Sequence, residues 1–388
     1  MARMLFVVPP LVGHTNPTVS VARALEARGH EVAWAAHPRA VRPLLPDNAR
    51  LFALDDAYPA ERWAEAEARA RALRGLAALA FLYEEFIVPL ARAMVPGVDK
   101  AVRAFCPDVT IVDQQAVAGA VVCRKRGLRW ATFATTSAAI TDPLADLPKV
   151  RDWRDAQLAK LEQEAGLAPS GAPDLSPELV IAFTTRELVG ASAQVPPQVR
   201  FVGPAIVDRP ETAAFPWDAL ARPPARRVLV SLGTVNTEAG DRFYPVALDA
   251  LGGVADLQAV MVAPERFAAG APDNVLVRSF VPQLALLPHM HAVVCHAGHN
   301  TVCESLANGL PLVVLPIKDD QPVVAQQVAG AGAGIRLKFG RVHAAELRAA
   351  VLRVLDEPSF REAAVRIGAS FAAAGGAERA AELLEGLA

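Results

Sequence analysis

The sequence predicts an α/β chain with two domains in tandem, each a doubly wound parallel sheet. Three observations carry this prediction. At 388 residues the chain exceeds what one hydrophobic core usually supports. Short, continuous apolar runs alternate with segments of helical spacing along most of its length. Near residue 204 the alternation breaks at "GPAIVDRPETAAFPWDALARPPARR", a Pro-rich stretch without periodicity that reads as a linker. The expected boundaries are 1–204 for the first domain, 205–226 for the linker and 227–388 for the second. A helical tail at the C-terminus can pack back on the first domain.

The first set opens with "MLFVVP", a continuous apolar strand, then the helical "NPTVSVARALEARG" ending on Gly29, then the strand "HEVAWAAH". Continuous rather than alternating apolar strands imply a parallel sheet covered on both faces. Residues 60–95 carry one or two long helical patterns, and the charges of "ERWAEAEARARALR" fit a solvated face. "PDVTIVD", the helix "AVAGAVVCRKRG" and the strand "RWATFAT" continue the alternation. The second set runs through the strand "RVLVSLGT", helix "RFYPVALDALGG", strands "LQAVMVAP" and "VLVRSF", and helix "LALLPHM". Strand "AVVCH", helix "NTVCESLANG", strand "PLVVLP" and helix "QPVVAQQVAGAG" follow. In such folds ligands bind at the carboxyl ends of the strands, so a cleft between the two sheets is the expected site.

Composition narrows the function classes. A net charge of -2, with acids and bases nearly equal, leaves no basic footprint for nucleic acid. The apolar run at the N-terminus is short, and "LRGLAALAFLYEEFIVPLARAMV" is interrupted by Glu84 and Glu85, so neither a targeting signal nor a membrane span is expected. Cys106, Cys123, Cys295 and Cys303 form no CxxC pair and fit reduced thiols in a cytoplasmic protein. Partners are therefore sought among small molecules and proteins, with a homodimer left open.

The chemistry concentrates in "CHAGHNTVCESLANGLPLVVLPIKDDQ", residues 295–321. A strand ends there and a helix begins, so Gly298 allows close backbone approach and the amides of residues 299–301 make an anion site. His296 and Thr301 can add donors. One turn on, Glu304 suits a pair of ribose hydroxyls, as acids do in dinucleotide folds. Gly233 and Thr234 end another strand and offer a second phosphate contact, although such turns are common. Phe280, beside the main chain of Val281, can stack on a base or serve as a core residue. His289, His291, His296 and His299 with Cys295 offer zinc-type ligands. They lack Cys pairs, however, and the strand between them carries them to opposite ends, so no metal is expected. In the first set, "GHTNP" places His14 at a strand end, where an imidazole can act as general base. Asp113 ends what reads as a neighbouring strand and can fix its tautomer. Read singly, either residue also fits a plain helix start or cap.

Taken in order, "FVPQ", the His-Ala-Gly-His-Asn-Thr run, Glu304, "NGLPLVVLP" and Asp320-Gln321 resemble the donor signature of the family-one nucleotide-sugar glycosyltransferases. "GHTNP" and the Asp113 strand are similar to the same family, particularly bacterial enzymes that glycosylate antibiotics and other secondary metabolites. The resemblance spans nearly the whole chain. It implies the GT-B fold, two Rossmann-like domains, and inverting, metal-independent transfer of a hexose from a nucleoside diphosphate (UDP or dTDP) to an acceptor hydroxyl. It also implies roles: His14 as base and Asp113 as its orienting acid; Phe280, Val281, Gln283 and Glu304 on the nucleoside; His296, Gly298, Asn300 and Thr301 on the diphosphate. Asp320, Gln321 and Thr135 would hold the sugar. Phe280 and His299 stand where plant members carry Trp, which leaves uridine and thymidine both open. Residues 55–95 and 138–165 are expected to wall a pocket for a hydrophobic acceptor, though core packing explains their amphipathicity equally. An epimerase of the same fold and a non-catalytic sugar-nucleotide-binding partner protein are the alternatives. No GxGxxG follows the first strand, which disfavours a dinucleotide oxidoreductase.

Overall fold

The continuous apolar runs become two parallel sheets. The computed structural model describes residues 1–54, 69, 73, 75–206, 215–220, 226–233 and 239–388. These fall into two units: Met1–Thr185 with Ser192–Val207 and Ala373–Ala388, and Arg186–Ala191 with Asp208–Ala372. The expected linker, 205–226, lies largely outside the described residues.

The first unit holds β1 (Arg3–Val7), β2 (Glu31–Ala36), β3 (Arg50–Ala53), β4 (Val109–Asp113), β5 (Trp130–Ala134), β6 (Val180–Ala182) and β7 (Val199–Phe201). They form one parallel sheet in the order β3-β2-β1-β4-β5-β6-β7. Successive side chains of a strand point to opposite faces, so β1 feeds two cores. Met4 and Phe6 join Trp34 and the helix Val12–Ala27 on one side; Leu5 and Val7 join Leu90 and Met94 of the helix Val88–Phe105 on the other. Trp34 anchors the first of these cores. Its ring stacks on Phe6 with centroids 5.6 Å apart, and its Nε1–H donates to the Thr18 hydroxyl at 3.0 Å, so burial leaves no indole donor unpaired.

The tail packs within this unit. After Gly375 and Gly376, both at positive φ, the helix Gly376–Glu385 buries Ala380, Ala381 and Leu384 in the core that holds Met4 and Trp34. Arg28 and His30, just beyond the helix Val12–Ala27, reach Glu378 and Glu385 across its outer face. The helical reading of residues 60–95 is described only in part: Gly75–Phe81 is α-helical, Leu82–Ile87 is a π turn, and Val88–Phe105 continues as α-helix. Residues 55–68, 70–72 and 74 of the expected acceptor wall lie outside the described residues. The helix Pro148–Glu164 occupies most of the other expected wall.

The second unit holds β8 (Arg226–Ser231), β9 (Leu257–Val262), β10 (Val275–Arg278), β11 (Ala292–Cys295), β12 (Leu312–Val314) and β13 (Gly334–Arg336). All are parallel, in the order β10-β9-β8-β11-β12-β13. One face packs Leu229, Val293 and Val314 against Val302 and Val324; the other packs Val228, Val230 and Met261 against Phe243 and Leu347. In both sheets the strand order reverses direction once, between β1 and β4 and between β8 and β11. A doubly wound sheet opens a crevice at such a point, and the candidate residues of each unit sit at one.

Candidate active site

The candidate residues of the first unit gather at the carboxyl ends of β1, β4 and β5. The parallel register sets Val7 beside Val112 and Asp113 beside Phe133, so residues that follow these strands meet on one edge of the sheet. His14, two residues into the helix Val12–Ala27, comes within hydrogen-bond reach of Asp113 although 99 positions separate them. Its Nδ1 lies 3.0 Å and 2.9 Å from the two carboxylate oxygens. Asp113 is buried, and its Oδ1 also accepts the Gln115 amide at 2.9 Å. With a carboxylate at Nδ1 the neutral ring carries its proton there, which leaves the lone pair on Nε2.

Thr135, for which the resemblance implies a sugar contact, joins the His14–Asp113 pair. Its hydroxyl sits 2.9 Å from His14 Nδ1 and donates to Asp113 Oδ2 at 3.1 Å. The residue follows β5 directly, and β5 is the neighbour of β4, so the hydroxyl is delivered to the carboxylate.

The candidate residues of the second unit gather at the ends of β8, β11 and β12, where Ser231, Cys295 and Val314 are in register. His296 follows β11. Its ring lies against two glycines: an added Cβ at Gly233 would stand 2.7 Å from Cε1, and one at Gly298 would stand 2.7 Å from the same atom. Gly233 also takes a φ of 72°, which side chains disfavour. Both glycines therefore make room for the imidazole, a role the sequence reading did not assign them. Thr234 lies outside the described residues. Between His296 and Gly298, Ala297 adopts φ 66°, an unusual left-handed conformation for a residue with a side chain, of the kind that collects at functional sites.

Gly298 is the N-cap of the helix His299–Ala307. Val302 N–H bonds back to the Gly298 carbonyl, and the amides that precede it in the first turn have no intrahelical acceptor. His299 is buried and its Nε2 lies 3.5 Å from the Cys303 thiol one turn on. Glu304, also buried, accepts a hydrogen bond from Gln283 Nε2 at 2.5 Å, which joins two residues both assigned to the nucleoside. Gln283 opens the short helix Gln283–Leu286 just after Phe280 and Val281. Phe280 is 58% exposed, which decides against a core role, whereas the Val281 side chain is buried and leaves only its main chain for a ligand.

Asp320 caps the helix Gln321–Gly330, following Asp319 at φ 56°. Gln321 has a structural role beside the sugar contact implied for it: its Oε1 accepts the amides of Ile317 at 2.8 Å and Lys318 at 3.1 Å. It braces the turn that presents Asp320. The carbonyl oxygen is committed to backbone because those two amides have left β12 and need an acceptor.

Burial pushes the His296 imidazole down to about 4, against the Asp320 charge and a hydrogen bond with the Ser231 backbone. At pH 7 the ring is thus neutral, a hydrogen-bonding group and not a cation. The unfolded chain binds a proton below pH 6.5 that the folded ring refuses until about pH 4. Stability should therefore fall as pH falls through that window, by on the order of 3 kcal/mol for this group. Urea unfolding of the wild type and of His296→Gln at pH 7 and pH 5 checks this: the variant should lose less stability between the two. Among the described residues no three His, Cys, Asp or Glu side chains converge as a metal site, and no helix is long and apolar enough to cross a membrane.

Comparison with known proteins now decides the family. The erythromycin biosynthesis protein CIII-like C-terminal domain matches residues 248–387. The chain is 30% identical over 425 aligned positions to 4'-demethylrebeccamycin synthase of Lentzea aerocolonigenes, covering 100% of this chain and 99% of the relative. The chain belongs to the antibiotic glycosyltransferases of GT-B fold. Oleandomycin glycosyltransferase of Streptomyces antibioticus is 28% identical over 96% of this glycosyltransferase and 88% of its own length. The crystal structure of the glycotransferase of kitacinnamycin superposes with a TM-score of 0.81 at 25% identity, covering 100% of this chain and 98% of that one. The fold expected from the sequence, two parallel-sheet domains of GT-B type, is the one observed.

Proposed function

We propose that this glycosyltransferase inverts configuration as it moves a hexose from UDP or dTDP to a hydroxyl of a hydrophobic natural product. The observation that carries the proposal is the His14–Asp113 pair, an imidazole with its Nδ1 on a buried carboxylate at the switch point of a sheet. Such a pair is suited to deprotonate a hydroxyl through Nε2, because the carboxylate stabilises the imidazolium that forms.

In the proposed reaction the acceptor oxygen loses its proton to His14 Nε2 as it bonds to the anomeric carbon. The bond from that carbon to the diphosphate oxygen breaks on the opposite face. The departing charge is met by the amides at the start of the helix His299–Ala307, by the Asn300 and Thr301 side chains and by His296, all neutral donors that need no reorganisation. Glu304 takes the ribose hydroxyls, Phe280 stacks on the base and Asp320 faces the sugar hydroxyls. A spinosyn rhamnosyltransferase structure, 24% identical with a TM-score of 0.76, is complexed with thymidine diphosphate, which supports dTDP. A Bacillus subtilis relative, 26% identical, is named as a UDP-glucosyltransferase, which supports UDP. Natural-product acceptors are supported by the rebeccamycin and oleandomycin relatives, and a hydrophobic one by the exposed Leu76 and Leu147 in the two expected wall segments.

The helix end and its donors supply the positive field, so no metal is required. With α-linked UDP-glucose or a dTDP-hexose and a phenolic or polyketide acceptor, transfer should persist in EDTA and give a β-linked product by NMR coupling. Retained α configuration, or activity that EDTA abolishes and magnesium restores, would overturn the proposal. Donor conversion without acceptor would favour the epimerase.

A further inference from the structure

We infer that Thr135 is a positioning residue for His14, acting through its hydroxyl on the imidazole and on Asp113. The inference deepens the reading of His14 as base and rests on it.

The hydroxyl has one hydrogen and its geometry says where that hydrogen goes. Thr135 Oγ1 is 3.1 Å from Asp113 Oδ2, and a carboxylate can only accept, so the O–H is donated there. The same oxygen lies 2.9 Å from His14 Nδ1, whose N–H points at Asp113, so its lone pair faces that hydrogen. Each carboxylate oxygen then has its own anchor: the Gln115 amide on Oδ1 and the Thr135 hydroxyl on Oδ2. With both oxygens held, the carboxylate cannot turn about its terminal torsion, and the ring plane bonded to it is fixed as well. Thr is suited to this because branching at Cβ restricts its first torsion. Being buried and having donated its hydrogen, the hydroxyl has nothing left to offer a sugar as donor.

Thr135 also tempers the charge that His14 feels. Donation to Oδ2 disperses the negative charge on the oxygen that stands 2.9 Å from Nδ1. Without the hydroxyl that charge is concentrated, and the imidazolium is favoured more. Loss of Oγ1 as an acceptor works the other way but is the smaller effect, since both Asp113 oxygens are already within 3.0 Å of Nδ1.

The test uses the full chain carrying Thr135→Val, with Thr135→Ser as the conservative partner and His14→Ala as control. In Thr135→Val, kcat should fall about tenfold with KM for donor and acceptor within about twofold, and the His14 ring should titrate at higher pH by NMR. Thr135→Ser should restore both values. A raised donor KM with unchanged kcat would return Thr135 to the sugar and overturn the inference. So would an unmoved or lowered His14 titration. If the His14 titration rises in Thr135→Val but His14→Ala stays active, the coupling stands and the base reading alone fails. If His14→Ala is inactive and Thr135→Val changes neither readout, the Thr135 assignment alone fails.

Discussion

Replacing His14 by Ala should cut transfer to a hydroxyl acceptor by about 10²- to 10⁴-fold, the span expected when a positioned general base is removed. The size follows from the pairing. His14 Nδ1 is engaged by a buried carboxylate at 2.9 Å, so the ring is pre-oriented and the cation formed on proton uptake is stabilised at once. Water cannot replace a base held that way. Donor affinity should be unchanged, because the residues assigned to the diphosphate and nucleoside belong to the other unit of the fold. Steady-state kinetics together with calorimetric titration of UDP or dTDP separate the two effects. An active variant would refute the base assignment, and a variant that has lost nucleotide binding as well would point to structural damage.

Glu304→Leu carries the second large effect, on the donor side. Hydrogen bonds to a charged group are worth roughly 1.5–3 kcal/mol each, so losing both ribose contacts should weaken nucleotide binding by at least about 100-fold, with little change in kcat at saturation. Leucine keeps the buried volume but leaves the Gln283 amide, now bonded to Glu304 at 2.5 Å, without its acceptor. A modest drop in melting temperature should accompany the affinity loss. Binding of UDP or dTDP with unaltered affinity would show that Glu304 serves only to hold Gln283.

Much of this was legible in the residues because the relevant physics is local or periodic. The strands with four or more continuous apolar residues, such as β1 and β9, declare a sheet covered on both faces, and the carboxyl ends of β1, β4 and β11 locate His14, Asp113 and His296. The meeting of His14 with Asp113 across 99 residues was accessible because parallel strands bring their ends to one edge. The short strands β6, β7 and β13, of three residues each, gave no periodic signal and were missed, as was β3. What sequence could not reveal was the direction of individual polar atoms. That the Thr135 hydroxyl also turns to Asp113, and that Gln321 Oε1 takes its own backbone at Ile317 and Lys318, depends on a torsion and on which amides a turn leaves unbonded. The glycines beside His296 illustrate the same limit. Their spacing marks a close approach, but only the folded chain shows that the His296 imidazole is one of the groups that approach.

The helix Gly376–Glu385 has a practical meaning for anyone recombining such enzymes. Its Ala380, Ala381 and Leu384 complete a core whose other buried members lie between Met4 and Val202, so the first unit is not one uninterrupted length of polypeptide. A chimaera that exchanges everything beyond the linker would import a foreign plug for the parent's own socket, including the acidic partners of Arg28 and His30. Crossovers should be made twice, once in the linker and again at Gly375–Gly376, so that the tail travels with the half it seals.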